Sequence, residues 1–542
     1  MRYTIIDIET DGLDATVIHC VVCLDYQGNE AVFTSREGLT EYLQGYQRVV
    51  AHNGIQFDFP CLSKLWNVHI PLDAQYDTLI ASRLSLPDRE KGHSLESWGN
   101  RLGKPKMEQP EFWAYFNKHM LIYCKQDVVL CNLIYHHLQQ ELREFSEESL
   151  RCEFMMQRLI NKVYQTGFHF ELNDAKTLLE EIEQKQNEIW QQIDRVFKPE
   201  IVQLKTKVKE IPFNINSRDQ IAKRLIELGW KPVKFTPSGK PKVDEVELEK
   251  CDLKEAKILA ENFMLQKRAA MIKSWIKESD LDSRVRCYYH SLGAITNRMS
   301  CSNPNLQQVP SGRKPYGEQC RKLWSAPKGR VLVGSDAASL ELRVLAHYMK
   351  DKDYIKELLE GDIHTANQEA AGLPTRDQAK TFIYALCYGA GDGKLGMVVN
   401  GTANDGALLR HRFFQKIPAF KRFSDAVISK GEREGKLIAI DGRILRVRSA
   451  HASLNTLIQG SSAVLMKNWF MNVGLNLKKR KLDANVIAMV HDEIIVECDH
   501  KVLDSVIDCV NIGISQVNNK FNLRCQLDCD INVGQNWNEV HK

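Results

Sequence analysis

VLVGSDAASLELRVLAHYM, residues 331–349, decides the reading of the fold. Its apolar run breaks at Asp336 and resumes at helical spacing, so it reads as a buried strand that ends on an acid and turns into a helix. An acid at a strand's end is held in place yet reachable, which suits a metal ligand. A partner stands far downstream. In VIAMVHDEIIVEC (486–498) two apolar runs are separated by His491 and Asp492, and two residues between strands is hairpin spacing. Asp492 is expected at the hairpin tip with Glu493 beside it. Taken alone, HDE reads as a polar turn. Brought together, Asp336 and Asp492 would make a two-metal site.

Between these segments lies RDQAKTFIYALCYGAG, residues 376–391. Arg376, Lys380 and Tyr384 are four apart, so each steps about 40° around a helix and all three share one face. The two cations repel by a few tenths of a kcal/mol unless an anion bridges them. A triphosphate is such an anion, and the tyrosine ring one turn on could stack on a base. The rest of this helix is apolar, which argues against a merely solvated basic face.

A second set of acids opens the chain. In YTIIDIETDGL (3–13) the apolar run says buried strand, yet Asp7 and Glu9 sit inside it on one face. At roughly 5–6 Å and an effective dielectric near 20 they repel by about 3 kcal/mol, which a proton, a basic partner or a metal must offset. AHNGIQFD (51–58) adds Asp58, and the helix-like HMLIYCKQDVVLCNLIYHHL (119–138) adds Tyr123 and Asp127 one turn apart. Any one of these acids alone is most simply a surface residue. Four carboxylates together suit Mg²⁺ or Mn²⁺, and a tyrosine hydroxyl could orient an attacking water.

Bulk properties set the frame. At 542 residues the chain exceeds one core, so three or four domains are expected. Net charge is +4, a weak lean toward polyanions. No apolar run reaches the roughly 18 residues of a membrane span, and Met1 leads into a strand rather than a signal peptide, so a cytoplasmic protein is expected. Fifteen cysteines without a framework suit reduced thiols. Cys20 and Cys23 form C-x-x-C, but in a strand-like run whose residues three apart face opposite sides, so core packing is expected. GDGKLG (391–396) matches G-x-G-x-x-G by letter only, because it follows a helix and Leu395 replaces the P-loop Ser or Thr. No internal repeat and no long disordered tail is evident.

The order D-x-E, N-x-x-x-x-D, Y-x-x-x-D resembles a 3′–5′ exonuclease of the DnaQ-like kind over most of residues 1–145, and implies that divalent metals are the partners of Asp7 and Glu9. TNRMSCSNPNLQQVP (296–310), SDAASLELR, the 376–391 helix and VHDE together resemble family A DNA polymerases. KPYGEQCR (314–321), GDIHTANQ (361–368) and DGRILRVRSAHASLNTLIQG (441–460) extend the likeness toward the replicative polymerases of T-seven-like phages. The implied fold is α/β multidomain, an RNase H-like 3′–5′ exonuclease domain followed by a right-hand palm, fingers and thumb. The implied boundaries are exonuclease 1–145, thumb 146–285, palm 286–348 and 453–542, and fingers 349–452.

The resemblance implies roles. Asp336, Asp492 and the Ala337 carbonyl would hold two Mg²⁺ ions, and Asp7, Glu9, Asp58 and Asp127 two more, with Mn²⁺ as a substitute. Arg376, Lys380 and His364 would grip triphosphate, and Lys380 would also protonate the leaving group. Glu341 and Tyr384 would pack where a ribose 2′-hydroxyl would intrude. Tyr at 384 is associated in the family with acceptance of dideoxynucleotides. Arg298, Gln459 and His491 match positions that touch the primer–template minor groove, whose shared acceptors need not report sequence. Lysines of LKTKVKE (204–210) either touch phosphates or form a solvated face.

Primer–template DNA and dNTPs are the expected partners, with a replicative helicase or primase as further candidates and no membrane. The span from Phe197 to Asn214 leaves little room for the thumb insertion that captures thioredoxin in the phage relatives, so thioredoxin is not expected. Nor is a 5′-nuclease domain. The function implied is template-directed DNA synthesis with proofreading, in phage genome replication and hence the host cytoplasm. Alternatives are a family A repair or organellar polymerase, a single-subunit RNA polymerase relative, or a non-catalytic accessory subunit. The exonuclease motifs and the Glu341–Tyr384 pair argue against the RNA polymerase, and the retained carboxylates against the accessory subunit.

Overall fold

The computed structural model describes residues 1–203 and 208–541. Lys205 and Lys207 of the LKTKVKE stretch lie outside the described residues, and Lys209 is exposed.

The first unit is built on β1 (Tyr3–Thr10), β2 (Ile18–Asp25), β3 (Glu30–Phe33), β4 (Arg48–Ala51) and β5 (Gln75–Asp77), in the order β3-β2-β1-β4-β5. β1 pairs antiparallel with β2 and parallel with β4. Ile5, Ile6 and Ile8 of β1 are buried, so this central strand has covered faces, as its unbroken apolar run requires. Cys20 and Cys23 join that core as expected, and all fifteen cysteines are free. α1 (Asp58–Trp66) follows a turn in which Asn53 takes a left-handed φ of 69°. α2 (Lys118–Glu141) starts where the Asn117 side chain accepts from the Met120 N–H, and it packs on β1 and β2.

Beyond it, α3 (Glu147–Thr166) is capped by Ser146, and α4 (Leu172–Val196) packs on α5 (Lys254–Lys277). The second sheet contains β6 (Arg330–Ala337), β7 (Ala484–Val490), β8 (Glu493–Asp499) and β9 (Cys529–Gly534), ordered β7-β8-β6-β9 with every pairing antiparallel. α6 (Leu340–Met349) leaves β6 directly. α7 (Ile363–Ala371) and α8 (Arg376–Cys387) follow, and α9 (Ser453–Lys479) packs between α6 and α10 (Leu503–Lys520). A Cβ at Gly334 would lie 2.7 Å from the Val540 Cβ, so only glycine lets the C-terminal turn close on β6. Two large apolar cores and one small one result among the described residues. One gathers Ile5 through Leu142 with Phe154 and Leu292, a second runs from Cys152 to Val540, and the small third holds Val427, Leu437, Ala439, Leu445 and Leu457.

A charge network lies between α3, α9 and the hairpin formed by Lys436–Ile438 and Ile444–Arg446. Arg443 meets Glu153 at 2.6 Å and Asp441 at 2.8 Å, Lys467 meets Glu153 at 2.6 Å, and the side chains in these pairs are fully buried. Gly442 turns the hairpin at φ 83°, where a Cβ would sit 2.9 Å from that of Ser146. A buried charge stripped of its partner is destabilising by about 3–5 kcal/mol, whereas replacing the whole set by apolar residues is often neutral. Arg443→Leu is therefore expected to lower unfolding free energy by about 3–5 kcal/mol in urea, with much of it regained when Asp441→Leu, Glu153→Met and Lys467→Met are added. A single variant as stable as the parent refutes this reading.

Candidate active sites

The C-terminal centre forms where β6 ends. His491 takes a left-handed φ of 55°, which makes the two-residue turn between β7 and β8. The Ala337 N–H donates to the Asp492 carbonyl at 2.9 Å, folding the turn back onto the end of β6. Asp336 and Asp492 thus open on one cavity of about 440 Å³. Burial pushes the Asp336 carboxyl up to about 7, with Asp492 and then Glu493 adding repulsion. Glu493 is itself buried and engaged: Trp537 Nε1 donates to its two oxygens at 3.2 and 3.1 Å, and His541 Nδ1 lies 3.1 Å away.

The cavity wall brings together Arg298, Ala337, Glu341, His364, Lys380, Tyr384 and His491 with the two aspartates. Two expected residues stand outside it. Arg376 does not wait for an anion shared with Lys380, because Asp362, the N-cap of α7, accepts from it at 2.7 and 3.1 Å. Gln459 sits on α9, where its amide lowers the Tyr388 phenol against the larger upward push of burial and Glu341. Glu341 is held differently from the expectation. Its carboxylate accepts from the Tyr388 hydroxyl at 2.8 Å and from Arg298, while Tyr384 stays beside it, its phenol raised first by burial and then by Glu341. Burial lowers the His364 imidazole, and Arg376 and Lys380 lower it further, so that ring is neutral.

The N-terminal centre gathers all four expected carboxylates. Asp7 is raised well above the usual range by burial, then by Asp127, Glu9 and Asp58. Burial carries Glu9 to about 9 and Asp58 to about 7. Tyr123 and Asp127 share a face of α2, and Asp127 Oδ1 is buried without a hydrogen-bond partner. Ligand atoms of Asp7, Glu9 and Cys124 lie within 4.8 Å of one another, and the Cys124 thiol donates to Asp7 Oδ2 at 3.3 Å. Crowded oxygen donors, strained carboxylates and an orphaned oxygen fit a hard divalent cation.

Three residues escaped the sequence reading. Lys106 places its ammonium 2.7 Å from Asp127 Oδ2 and 4.6 Å from the Tyr123 ring centroid, and GKPK (103–106) carries no motif that announces it. Tyr388 continues the four-residue spacing of 376, 380 and 384, so its place was readable. Lys467 lines the C-terminal cavity although its run on α9 looks like core.

The sequence profile of DNA polymerase family A matches residues 155–539. The DNA-directed DNA polymerase of Enterobacteria phage T3 is 30% identical, and that of Escherichia phage T7 31%, each alignment covering 99% of both chains. Both alignments run over 700 positions, more than the chain's own length, so these relatives contain segments the chain lacks. Among solved structures, the polymerase domain of Pol1 from M. smegmatis, in complex with primer–template DNA and dNTP, superimposes with a TM-score of 0.84 at 18% identity, covering 100% of this chain and 96% of that one.

The raised carboxyls have a thermodynamic consequence. Asp336 and Asp58 titrate near 7 when folded, above an unfolded value of about 3.9, so their contribution to stability is full below about pH 4 and lost as pH rises through 7. In chelator, the melting temperature is expected to be lower at pH 8 than at pH 6, and Mg²⁺ to raise it at pH 8. Asp336→Asn with Asp58→Asn should shrink the difference. Identical melting curves at the two pH values would contradict the charge strain.

Proposed function

Because the chain belongs to DNA polymerase family A and is a DNA-directed DNA polymerase, we propose that its two acid centres divide its work between adding nucleotides and removing them. The observation that carries this is the backbone bond between Ala337 and Asp492, which sets two aspartates at the mouth of a cavity whose other wall is cationic and aromatic.

Family A polymerases are metal-dependent. Here Asp336, Asp492 and the Ala337 carbonyl would hold two Mg²⁺ ions, and Asp7, Glu9, Asp58 and Asp127 two in the N-terminal centre, with Mn²⁺ able to replace them. When bound, such ions supply Lewis acidity that sharpens an attacking oxygen and stabilises a departing one. The chain's own groups do the rest. Lys380 binds triphosphate and gives a proton to the leaving pyrophosphate; neutral His364 donates a hydrogen bond, and Arg376 joins them by exchanging Asp362 for phosphate. Tyr384 stacks beside the incoming base, and the Glu341–Tyr388–Arg298 bonds stiffen the wall that a ribose 2′-hydroxyl would strike. Arg298, Gln459 and His491 follow the minor groove without reading sequence. In the N-terminal centre, the Tyr123 hydroxyl orients the water that attacks the terminal phosphodiester, giving 3′–5′ proofreading.

The division of the chain proposed is exonuclease 1–145, thumb 146–285, palm 286–348 and 453–542, and fingers 349–452; the separate core of the first unit supports its first boundary. The phage relatives support a role in phage genome replication, where a helicase or primase would be met. Among the described residues no helix is long and apolar enough to cross a membrane.

A labelled primer with a recessed 3′ end, given Mg²⁺, tests both centres. Extension is expected with dNTPs and shortening from the 3′ end without them. Asp492→Ala should abolish extension alone and Asp7→Ala shortening alone, each by on the order of 10³-fold, about 4 kcal/mol of transition-state stabilisation. No extension by the parent, or loss of both activities from either variant, would falsify the assignment. Dideoxynucleotides should terminate synthesis efficiently, and Tyr384→Phe should restore discrimination against them. Strong discrimination by the parent in single-nucleotide incorporation removes that role from Tyr384.

A further inference from the structure

The nuclease centre contains a cation of its own. Lys106 lies in the irregular connection that leads into α2, and the residues on either side of it are tied to one side chain. The Met107 N–H donates to Gln126 Oε1 at 2.7 Å, and Gln126 Nε2 donates to the Pro105 carbonyl at 2.9 Å. Gln126 directly precedes Asp127, so the connection is clamped beside the carboxylates. Its ammonium meets Asp127 Oδ2 at 2.7 Å, lies 4.6 Å from the Tyr123 ring centroid, and is mostly buried. The same charge also offsets Glu9.

We propose that Lys106 is a positioning residue of the nuclease centre, one that competes with a divalent cation for Asp127 and fixes Tyr123 for its work on the attacking water. This rests on the 3′–5′ exonuclease reading. The physical argument is charge competition. Asp127 Oδ1 is free for a metal while the ammonium sits on Oδ2, so a cation bound there shares one carboxylate with a second positive charge and is repelled by it. The clamp at Gln126 keeps the ammonium over the Tyr123 ring, where cation–π attraction and its positive charge orient the phenol. Removing the charge should therefore act in opposite directions: metal binds more tightly, and turnover falls because Tyr123 loses its support. Simple damage to the fold would weaken both.

The test uses full-length protein and two readouts. Mn²⁺ binding is followed by electron paramagnetic resonance in an Asp336→Asn/Asp492→Asn background, which leaves the nuclease centre as the site counted. Turnover of a single-stranded oligonucleotide and primer extension are measured with the palm intact. Lys106→Met is expected to tighten Mn²⁺ by about threefold, the scale of a screened ion pair. It should lower kcat about tenfold with KM little changed, as for a misplaced supporting group. Lys106→Arg should recover most of kcat, and primer extension should be unaffected by either. Mn²⁺ affinity and kcat falling together, or neither changing, overturns the proposal. A parent that extends primers and binds Mn²⁺ but never shortens DNA sinks the exonuclease reading instead, and the Mn²⁺ titration still decides whether Lys106 competes for Asp127.

Discussion

Negative charge held where it cannot relax is the constraint on which this structure depends. At the C-terminal centre the backbone enforces it: β6 pairs with β8 and β9 along its length, and the Ala337–Asp492 bond fixes the turn against the strand end. At the N-terminal centre β1 fixes Asp7 and Glu9 two residues apart, and α1 and α2 bring Asp58 and Asp127 to them. Neither sheet can move one acid away from another without shifting a strand register, which would turn every buried side chain of that strand to the wrong face. The strain is therefore stored in the carboxyls, whose raised affinity for protons is equally an affinity for metal.

The two units meet at α3, whose Asn161 donates to the Ile55 carbonyl at 2.8 Å, and at a charged hairpin. The hairpin around Gly442 reaches the N-terminal unit through Arg446, which donates to the Ser85 carbonyl at 3.4 Å, Arg448, which meets Asp88 at 3.1 Å, and Lys436, which pairs with Glu144. On its inner side Arg443 enters the buried network with Glu153 and Lys467, and Lys467 lines the C-terminal cavity. The hairpin thus carries charged contacts on both sides, to the N-terminal unit on one and to the buried network beside the C-terminal cavity on the other. Burial lowers the proton affinity of the Lys467 ammonium, Glu153 opposes that, and Arg443 adds to it. The charge behind the cavity wall is in this way set by residues that also hold the hairpin.

Much of this was legible in the sequence because period and chemistry agreed. The strand ending on Asp336, the two-residue turn at His491 and Asp492, the same-face pair Asp7 and Glu9, and the one-turn spacing of Tyr123 and Asp127 all follow from geometry that a sequence displays directly. Partner choice was less readable. Arg376 reads as a free phosphate ligand because its helix shows only its own residues, whereas Asp362 comes from the capping position of the preceding helix. Glu341 was paired with Tyr384, yet the next turn supplies the hydroxyl it accepts. Lys106 was invisible for a stronger reason: an irregular connection has no periodicity to place a side chain, and the clamp to Gln126 exists only after folding.

The treatment of cations separates the centres. In the N-terminal centre an acid and a cation are already paired, Lys106 with Asp127, so a metal would share that carboxylate with a resident positive charge. In the C-terminal centre they are kept apart. Arg298 is bound to Glu341, Arg376 to Asp362 and Lys467 to Glu153, and among the described residues neither Asp336, Asp492 nor Lys380 has an ion-pair partner. One wall of that cavity is left able to take a cation and the other an anion. Direct Asp–Lys pairing would cancel both, since a satisfied pair attracts neither. A nucleoside triphosphate with its counter-ion presents both signs at once, and a cavity with separated charges gains from both only when they arrive together. In the N-terminal centre the resident lysine instead offsets part of the acidic charge before any ligand arrives. The same chain thus meets one electrostatic problem twice, by separating charges at one centre and by pairing them at the other.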